Sequence, residues 1–257
     1  MNLARNVKYK CMFIACLLFI LAFLSLSSSL FAESSSSTKG NNNPIKIDQE
    51  LPYSYSDRAD LRIVVITCNR SSSLLTLLKS LDVLVLDNYS AALEIWIDRN
   101  RKTGMVDEMT VNVASEFRWS RGPTRVHIHA KHVGLHGQWI DTWRPHDDSD
   151  DELALFLEDD LTISRYAYRW VRAVFQTYSH RADFAGASLT SHQMIIISDK
   201  PKRTLVGPKN HTAMMYKCFS SWGFAPKPMH WRKFQVGRKH RPMVCPLPGG
   251  LACSTSL

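Results

Sequence analysis

The sequence predicts an α/β fold of three layers, in which a mostly parallel central sheet lies between helices. Apolar, β-branched runs alternate with segments of helical periodicity, and this alternation is typical of parallel strands joined by helices. The run at residues 153–157 is apolar on both faces, as in a strand that is covered on both sides. Two of the apolar runs end in carboxylates, which indicates a ligand site at the edge of the sheet.

The chain begins with a basic and then hydrophobic segment. Residues 1–10 carry Arg5, Lys8 and Lys10, and residues 11–32 are mostly apolar or small. Basic residues before an apolar core direct a chain into the secretory pathway. The apolar stretch is just long enough to span a bilayer as a helix, with residues 1–10 as a cytoplasmic tail. Because the stretch is long for a signal peptide, we expect a type II signal anchor, with signal cleavage and secretion as the alternative.

Residues 33–60 are rich in Ser, Asn, Pro and Tyr without periodicity, which predicts a flexible stem. The globular domain is predicted at residues 61–235. Residues 236–257 are crowded with Pro, Gly and basic residues, which predicts an irregular basic tail. The net charge of +9 is concentrated after Asp199, where no acid follows, and such a region suits phosphates or anionic surfaces. No nucleic-acid-binding motif accompanies this charge, so nucleic acid is not an expected partner.

Each element of the domain follows from its own residue pattern. The first strand is a continuous β-branched run, and the leucines after it recur at helical spacing. The predicted strands span residues 61–67, 93–98, 124–129, 153–157 and 184–188. The predicted helices lie within residues 71–81, 134–143 and 165–178.

The strand ends carry the candidate site residues, which are Thr67, Arg70, Asp98, Glu158, Asp159 and Asp160. The carboxyl ends of parallel strands meet at one rim of a sheet, and ligands bind there in open α/β folds. Three consecutive carboxylates are stabilised by a cation, and hard oxygen ligands suit Mn²⁺ or Mg²⁺. The same acids also suit the N-terminus of a following helix, and that alternative stays open.

These motifs, in this order, resemble a known family. The runs Val64-Val-Ile-Thr-Cys-Asn-Arg70, Ile95-Trp-Ile-Asp98 and Phe156-Leu-Glu-Asp-Asp-Leu161 are similar to those of GT-A fold glycosyltransferases of the N-acetylglucosaminyltransferase I type. The resemblance implies the GT-A, or nucleotide-diphospho-sugar transferase, fold. It also implies transfer of GlcNAc or another sugar from a UDP-sugar to a glycan or glycoprotein acceptor, in the Golgi.

The resemblance also implies roles for individual residues. The acid triplet matches the EDD form of the DXD metal motif, with Asp160 as the ligand of Mn²⁺ or Mg²⁺. Asp159 and Glu158 would contact the ribose or orient metal-bound water.

On the nucleotide side, Asp98 would contact the uracil or the ribose. Thr67 and Arg70 would line the nucleotide pocket. Trp222 lies in a segment that resembles the acceptor side.

The catalytic base is unassigned, since the family places an acid well downstream of the metal motif and no Asp or Glu follows Asp199. We therefore expect a truncated or aberrant C-terminus. A non-catalytic nucleotide-sugar or carbohydrate-binding protein stays open as the alternative. A metal-dependent nucleotidyltransferase uses similar carboxylates, but the secretory signal argues against it.

The histidines at positions 127, 129, 132 and 136 invite a zinc site. No Cys or carboxylate partner lies at a convincing spacing, which argues against zinc.

Overall fold

A computed structural model of the chain describes residues 43–46, 51–189, 195–196, 203–204 and 221–239. The predictions for the cytoplasmic tail and the signal anchor lie outside the described residues, as does most of the basic tail. Within the described part, no helix is both long and apolar enough to cross a membrane.

Within the residues that the structure describes, a seven-stranded sheet forms the centre of the fold. Its strands are β1 (Ile45–Lys46), β2 (Leu61–Thr67), β3 (Ala91–Ile97), β4 (Thr124–Ile128), β5 (Leu153–Glu158), β6 (Gly186–Ser188) and β9 (Phe224–Pro226). They lie in the order β1-β4-β3-β2-β5-β9-β6. The strands from β1 to β5 pair in parallel, whereas β9 runs antiparallel to β5 and β6. A separate antiparallel pair joins β7 (Ile195–Ile196) to β8 (Arg203–Thr204).

Helices cover both faces of this sheet. They are α1 (Ser71–Asp82), α2 (Glu108–Glu116), α3 (Gly134–Asp141), α4 (Ala167–Tyr178) and α5 (Pro228–Lys239). One apolar cluster joins α1, α2 and α4 to residues such as Ile63 and Val65 of β2. A second cluster joins α3 and α5 to Val64 and Ile66, the alternate residues of the same strand. The predicted α/β class with a mostly parallel sheet is therefore confirmed.

The segment before β2 belongs to the domain, which corrects part of the predicted flexible stem. Tyr55 is buried, and its hydroxyl donates to the carbonyl of Thr142 at 2.9 Å while accepting from the Trp96 indole at 2.8 Å. The Tyr53 amide donates to the Asp141 carbonyl at 2.8 Å. The composition resembles that of a linker, but the rings of Tyr53 and Tyr55 pack in the second apolar cluster while their polar groups form hydrogen bonds.

The predicted boundary between domain and basic tail also moves. Helix α5 continues through residue 239, whereas the sequence placed an irregular tail from residue 236. The Gln235 side chain donates to the carbonyls of Ile140 and Trp143, at 2.7 Å and 2.9 Å. The Trp231 indole donates to the same Trp143 carbonyl at 3.3 Å. These contacts fix α5 against the end of α3, although the helix is too basic to show a clear apolar face in sequence.

The Arg62 guanidinium is fully buried near the amino ends of the parallel strands. It donates to Glu94 of β3 at 2.7 Å and to Glu152, which precedes β5, at 2.8 Å. Glu94 also accepts from Arg125 at 2.8 Å and lies 2.7 Å from the ring nitrogen of His127, both on β4. This network links β2, β3, β4 and the start of β5, and each buried charge has an opposite charge beside it.

Replacement of Arg62 by Leu should destabilise the fold strongly. The change leaves Glu94 and Glu152 without their shared cation, so the free energy of unfolding should fall by about 3–5 kcal/mol. Urea denaturation of the two proteins measures this loss. Arg58→Leu is the control, since it breaks an exposed pair with Asp148 and should leave the unfolding midpoint unchanged. Equal effects of the two substitutions would contradict the structural role of Arg62.

Candidate functional site

The carboxyl ends of β2, β3 and β5 meet at one rim of the sheet. Parallel pairing places Thr67 beside Ile97 and Ile66 beside Glu158. Asp98 follows directly on Ile97, and its amide donates to the Thr67 carbonyl at 3.0 Å. The residues that the sequence predicted for a site therefore come from three adjacent strands.

Thr67 and Arg70 hold the middle acid of the triplet. The Thr67 hydroxyl donates to one oxygen of Asp159 at 2.6 Å, and the Arg70 guanidinium donates to the other at 3.2 Å. The same guanidinium donates to Asp160 at 3.1 Å. Burial raises the pKa of Asp159, although the bonds from Thr67 and Arg70 act in the opposite direction. Asp159 is buried and both of its oxygens accept hydrogen bonds, whereas the Asp160 side chain is 53% exposed.

Glu158 lies between the sheet and the segment that precedes β9. Its carboxylate accepts from the Trp139 indole at 3.1 Å and is hydrogen-bonded to Ser221. Burial raises the pKa of Glu158, and the charges of Asp160 and Asp159 raise it further. Trp222, predicted on the acceptor side, follows Ser221 and is largely exposed beside this rim.

Asp98 has a different environment from the triplet. It is 2% exposed, and one of its oxygens accepts from the amides of Arg99 and Val133 at 2.8 Å and 3.0 Å. Its other oxygen accepts from the Gly134 amide at 2.8 Å and lies 3.0 Å from a ring nitrogen of His132. Asp98 therefore ties the end of β3 to the start of α3. Its predicted contact with uracil or ribose stays a prediction.

The structure excludes helix capping as the reason for the acid triplet. Asp159 and Asp160 form a turn, which is closed by the Leu161 amide donating to the Glu158 carbonyl, and the next helix, α4, begins only at Ala167. The acids are therefore not at a helix N-terminus, and the alternative that Leu161 starts a helix is wrong.

The fit of a divalent ion to this rim depends on Asp160. Among the described residues, no three or more His, Cys, Asp or Glu side chains form a metal-binding group. Mg²⁺ is commonly held by one or two carboxylates together with waters and substrate phosphates, so an enclosed protein cage is not required. The exposed Asp160 carboxylate is suited to an ion that phosphates also coordinate. Arg70 competes with such an ion for this carboxylate, because its guanidinium donates to it.

The four histidines do not assemble into a zinc site in the described region. His127 is bonded to Glu94, and His132 contacts Asp98. Burial lowers the pKa of His129 to about 4, so its imidazole is neutral at physiological pH.

A cavity of about 740 Å³ opens at the same edge of the sheet. Its lining comprises Cys68, Asn69, Arg99, Asn100, Arg101, Lys102, His132, Gly134, Leu135 and His136. Burial raises the pKa of the Cys68 thiol, and the nearby charges of Asp98 and Asp159 raise it further. The cavity therefore lies beside the rim carboxylates. Sequence reasoning missed the basic run that follows Asp98, although its position after a strand end was a usable signal.

Comparison with known proteins gives a family match without a named activity. The model of the family described as "SPBC1E8.03c C-terminal domain" matches residues 73–241. This range includes Asp98, the acid triplet and the basic run, but it begins after Thr67 and Arg70. No curated protein matches the chain.

Among solved structures, the crystal structure of S. aureus TarS 1-349 is similar at 14% sequence identity and a TM-score of 0.35. The match covers 46% of this chain and 33% of the TarS chain, so it spans about a third of that protein. A likeness at this level carries no argument about fold or function.

The raised pKa of Glu158 predicts a pH-dependent gain in stability from Glu158→Gln. Folding disfavours the charged carboxylate, so at pH 7 the variant should have the higher thermal unfolding midpoint. As the pH falls through the raised pKa, the native carboxyl takes up a proton and the difference should narrow. Calorimetry between pH 4 and pH 7 measures the two midpoints.

Glu116→Gln is the matched control, because Glu116 is an exposed acid at the end of α2. Its effect on the midpoint should be small throughout this pH range. A lower midpoint for Glu158→Gln at pH 7, or a difference that does not vary with pH, would contradict the assignment.

Proposed function

The chain belongs to the family of the SPBC1E8.03c C-terminal domain, and we propose that it is a metal-dependent glycosyltransferase. In this proposal, it moves a sugar, GlcNAc or another, from a UDP-sugar to a glycan or glycoprotein acceptor. The observation that carries the proposal is the arrangement of the triplet. Thr67 and Arg70 fix the buried Asp159, so the adjacent Asp160 is held at the rim with an exposed carboxylate.

Asp160 is the residue that would hold Mn²⁺ or Mg²⁺. A bound divalent ion would neutralise the diphosphate that leaves when the sugar is transferred. The Arg70 guanidinium donates to the same Asp160 carboxylate. Asp159 also accepts from this guanidinium and so keeps its positive charge at the rim. Glu158, held by Trp139 and Ser221, connects the rim to the segment that would face the acceptor.

The cavity beside the rim is where the nucleoside would bind. Its volume of about 740 Å³ lies within the usual range for small-molecule sites. Cys68, Asn69 and Leu135 lie on its wall. Asp98 accepts from the amides of Val133 and Gly134, and these bonds join the loop after β3 to the loop before α3 at the border of the cavity. In this proposal Asp98 contacts the uracil or the ribose, and it also shapes the pocket through the hydrogen bonds that its oxygens accept from backbone amides.

Cellular location enters the proposal only through the sequence. The hydrophobic residues 11–32 support a single-pass type II membrane protein of the secretory pathway. Golgi residence follows from the family resemblance of the rim motifs.

A second candidate function is donor binding without sugar transfer. It is favoured by the absence of any Asp or Glu after Asp199, where an inverting transferase of the resembled type has its base. A protein of this kind would bind a nucleotide-sugar or a carbohydrate in the secretory pathway.

Binding of UDP tests the donor site. Isothermal titration should show UDP binding that requires Mn²⁺, and Asp160→Ala should abolish the metal-dependent part because the ion loses its protein ligand. Asp151→Ala is the control, since it removes an exposed acid near the opposite end of β5 and should leave binding unchanged. UDP binding that is independent of the metal, or unaffected by Asp160→Ala, would remove Asp160 from the site.

Turnover of the donor separates the two candidate functions. The enzyme should release UDP from a UDP-sugar in the presence of Mn²⁺, slowly to water and faster to a glycan acceptor. A binding protein should retain intact UDP-sugar over the same period. If metal-dependent UDP binding is present and no UDP is released with any acceptor, the second function is correct.

A further inference from the structure

The basic run after β3 forms an ordered loop that ends at residue 105. The Asn100 side chain accepts from the amides of Lys102 and Thr103 at 2.8 Å and 3.2 Å. The Asn100 amide donates to the Met105 carbonyl at 2.8 Å, and Gly104 closes the turn at a φ of +69°. These bonds fix the backbone of the loop. The Cα–Cβ directions of its side chains are therefore set before any ligand binds.

Arg99 fastens this loop to the domain. Its guanidinium donates to the carbonyl of His129 at 2.6 Å and to that of Gly104 at 3.1 Å. A carbonyl satisfies the donor groups but does not neutralise the charge. The positive charge of Arg99 therefore remains in the wall of the cavity.

Arg101 and Lys102 are exposed, and their side chains make no hydrogen bond or ion pair with any described residue. Several arginines elsewhere on the surface do pair with a neighbouring carboxylate, among them the exposed Arg58 and Arg181 and the half-buried Arg144 and Arg169. None of the described residues that line the cavity is Asp or Glu, so these residues provide no carboxylate partner for its positive charge.

The loop and the acid triplet lie at the ends of different strands. Strands β3 and β5 flank β2, so these ends are separated by two strand spacings, about 10 Å. An anion held at the loop is then bound apart from the Asp160 carboxylate. It also needs no divalent ion, because Arg and Lys bind phosphate oxygens directly.

We propose that the Arg99–Lys102 loop is a metal-independent anion subsite, which takes a phosphate or pyrophosphate group of a ligand bound in the cavity. Arg101 and Lys102 contact the anion, and Arg99 holds the loop in place and adds its charge. The subsite does not depend on the sugar-transfer function, since it requires only the cavity and the loop.

Inorganic pyrophosphate is the probe, titrated by calorimetry in the presence of EDTA. The wild-type chain should bind it, and Arg101→Ala/Lys102→Ala should weaken binding about tenfold or more, through loss of charge-assisted hydrogen bonds. Both side chains are exposed and unpaired, so an unchanged thermal unfolding midpoint should accompany the loss. Pyrophosphate binding by the double variant at wild-type affinity would overturn the proposal.

Lys79→Ala/Lys233→Ala is the charge-matched control. It removes two exposed lysines from helices α1 and α5 and should leave the affinity for pyrophosphate unchanged. An equal loss of pyrophosphate affinity in this control would show that the effect comes from the net charge of the chain. The subsite proposal would then be wrong. Asp160→Ala should still bind pyrophosphate in EDTA, so failure of the donor site and failure of this subsite give different results.

Alkylation of Cys68 tests whether the anion lies in the cavity, because this thiol is part of the lining. Pyrophosphate should slow its reaction with iodoacetamide, measured by peptide mapping, in the wild type and much less in the Arg101→Ala/Lys102→Ala variant. If pyrophosphate leaves the alkylation rate of wild-type Cys68 unchanged, the proposal that the anion binds in the cavity is wrong.

Discussion

The fully buried guanidinium of Arg62 is the interaction on which the arrangement of the rim depends. It joins β2 to Glu94 of β3 and to Glu152 at the entrance of β5. A shift of one residue in either pairing would turn the buried partners away from this charge and leave it uncompensated. The register of the parallel strands is therefore strongly determined at their amino ends. The same register brings Thr67, Asp98 and the acid triplet together at the carboxyl ends.

The buried carboxylates at the rim lower the stability of the fold. Burial raises the pKa values of Glu158 and Asp159, so the fold disfavours the charges that these residues carry at neutral pH. Thr67 and Arg70 offset part of that cost for Asp159. Structural need does not account for three acids at a strand end, and carboxylates that oppose folding are typical of functional sites. The basic loop beside them shows the complementary pattern, in which cations lack carboxylate partners among the described residues.

Much of this arrangement was predictable because it rests on continuous apolar runs. The buried strands and the acids that end them show in the sequence, and so does the meeting of those ends at one rim. Helix α2 was missed because only Thr110 and Ala114 of it are buried, which leaves no apolar stripe. Its start depends on Asp107, whose side chain accepts from the Thr110 amide. This N-cap is a local contact, but without an apolar stripe after it the helix was not recognised in the sequence.

The sequence indicated which residues meet at the rim, but it did not show all of their contacts. The Asp98 oxygens accept from the amides of Val133 and Gly134, residues that lie far from Asp98 in the chain. Arg70 was expected in a nucleotide pocket, and it pairs with two acids of the triplet. The cavity could not be predicted, because its wall combines the loops that follow β2, β3 and β4. Its shape is a property of the folded chain alone.

Crystals grown with UDP and Mn²⁺ would show whether Asp160 holds the metal ion. The anomalous signal of manganese locates the ion independently of any assumption about the ligand. We expect an anomalous peak within bonding distance of the Asp160 carboxylate, with the diphosphate on the ion and the nucleoside in the cavity beside Cys68. A manganese peak away from Asp160, or a nucleotide bound outside the cavity, would contradict this expectation.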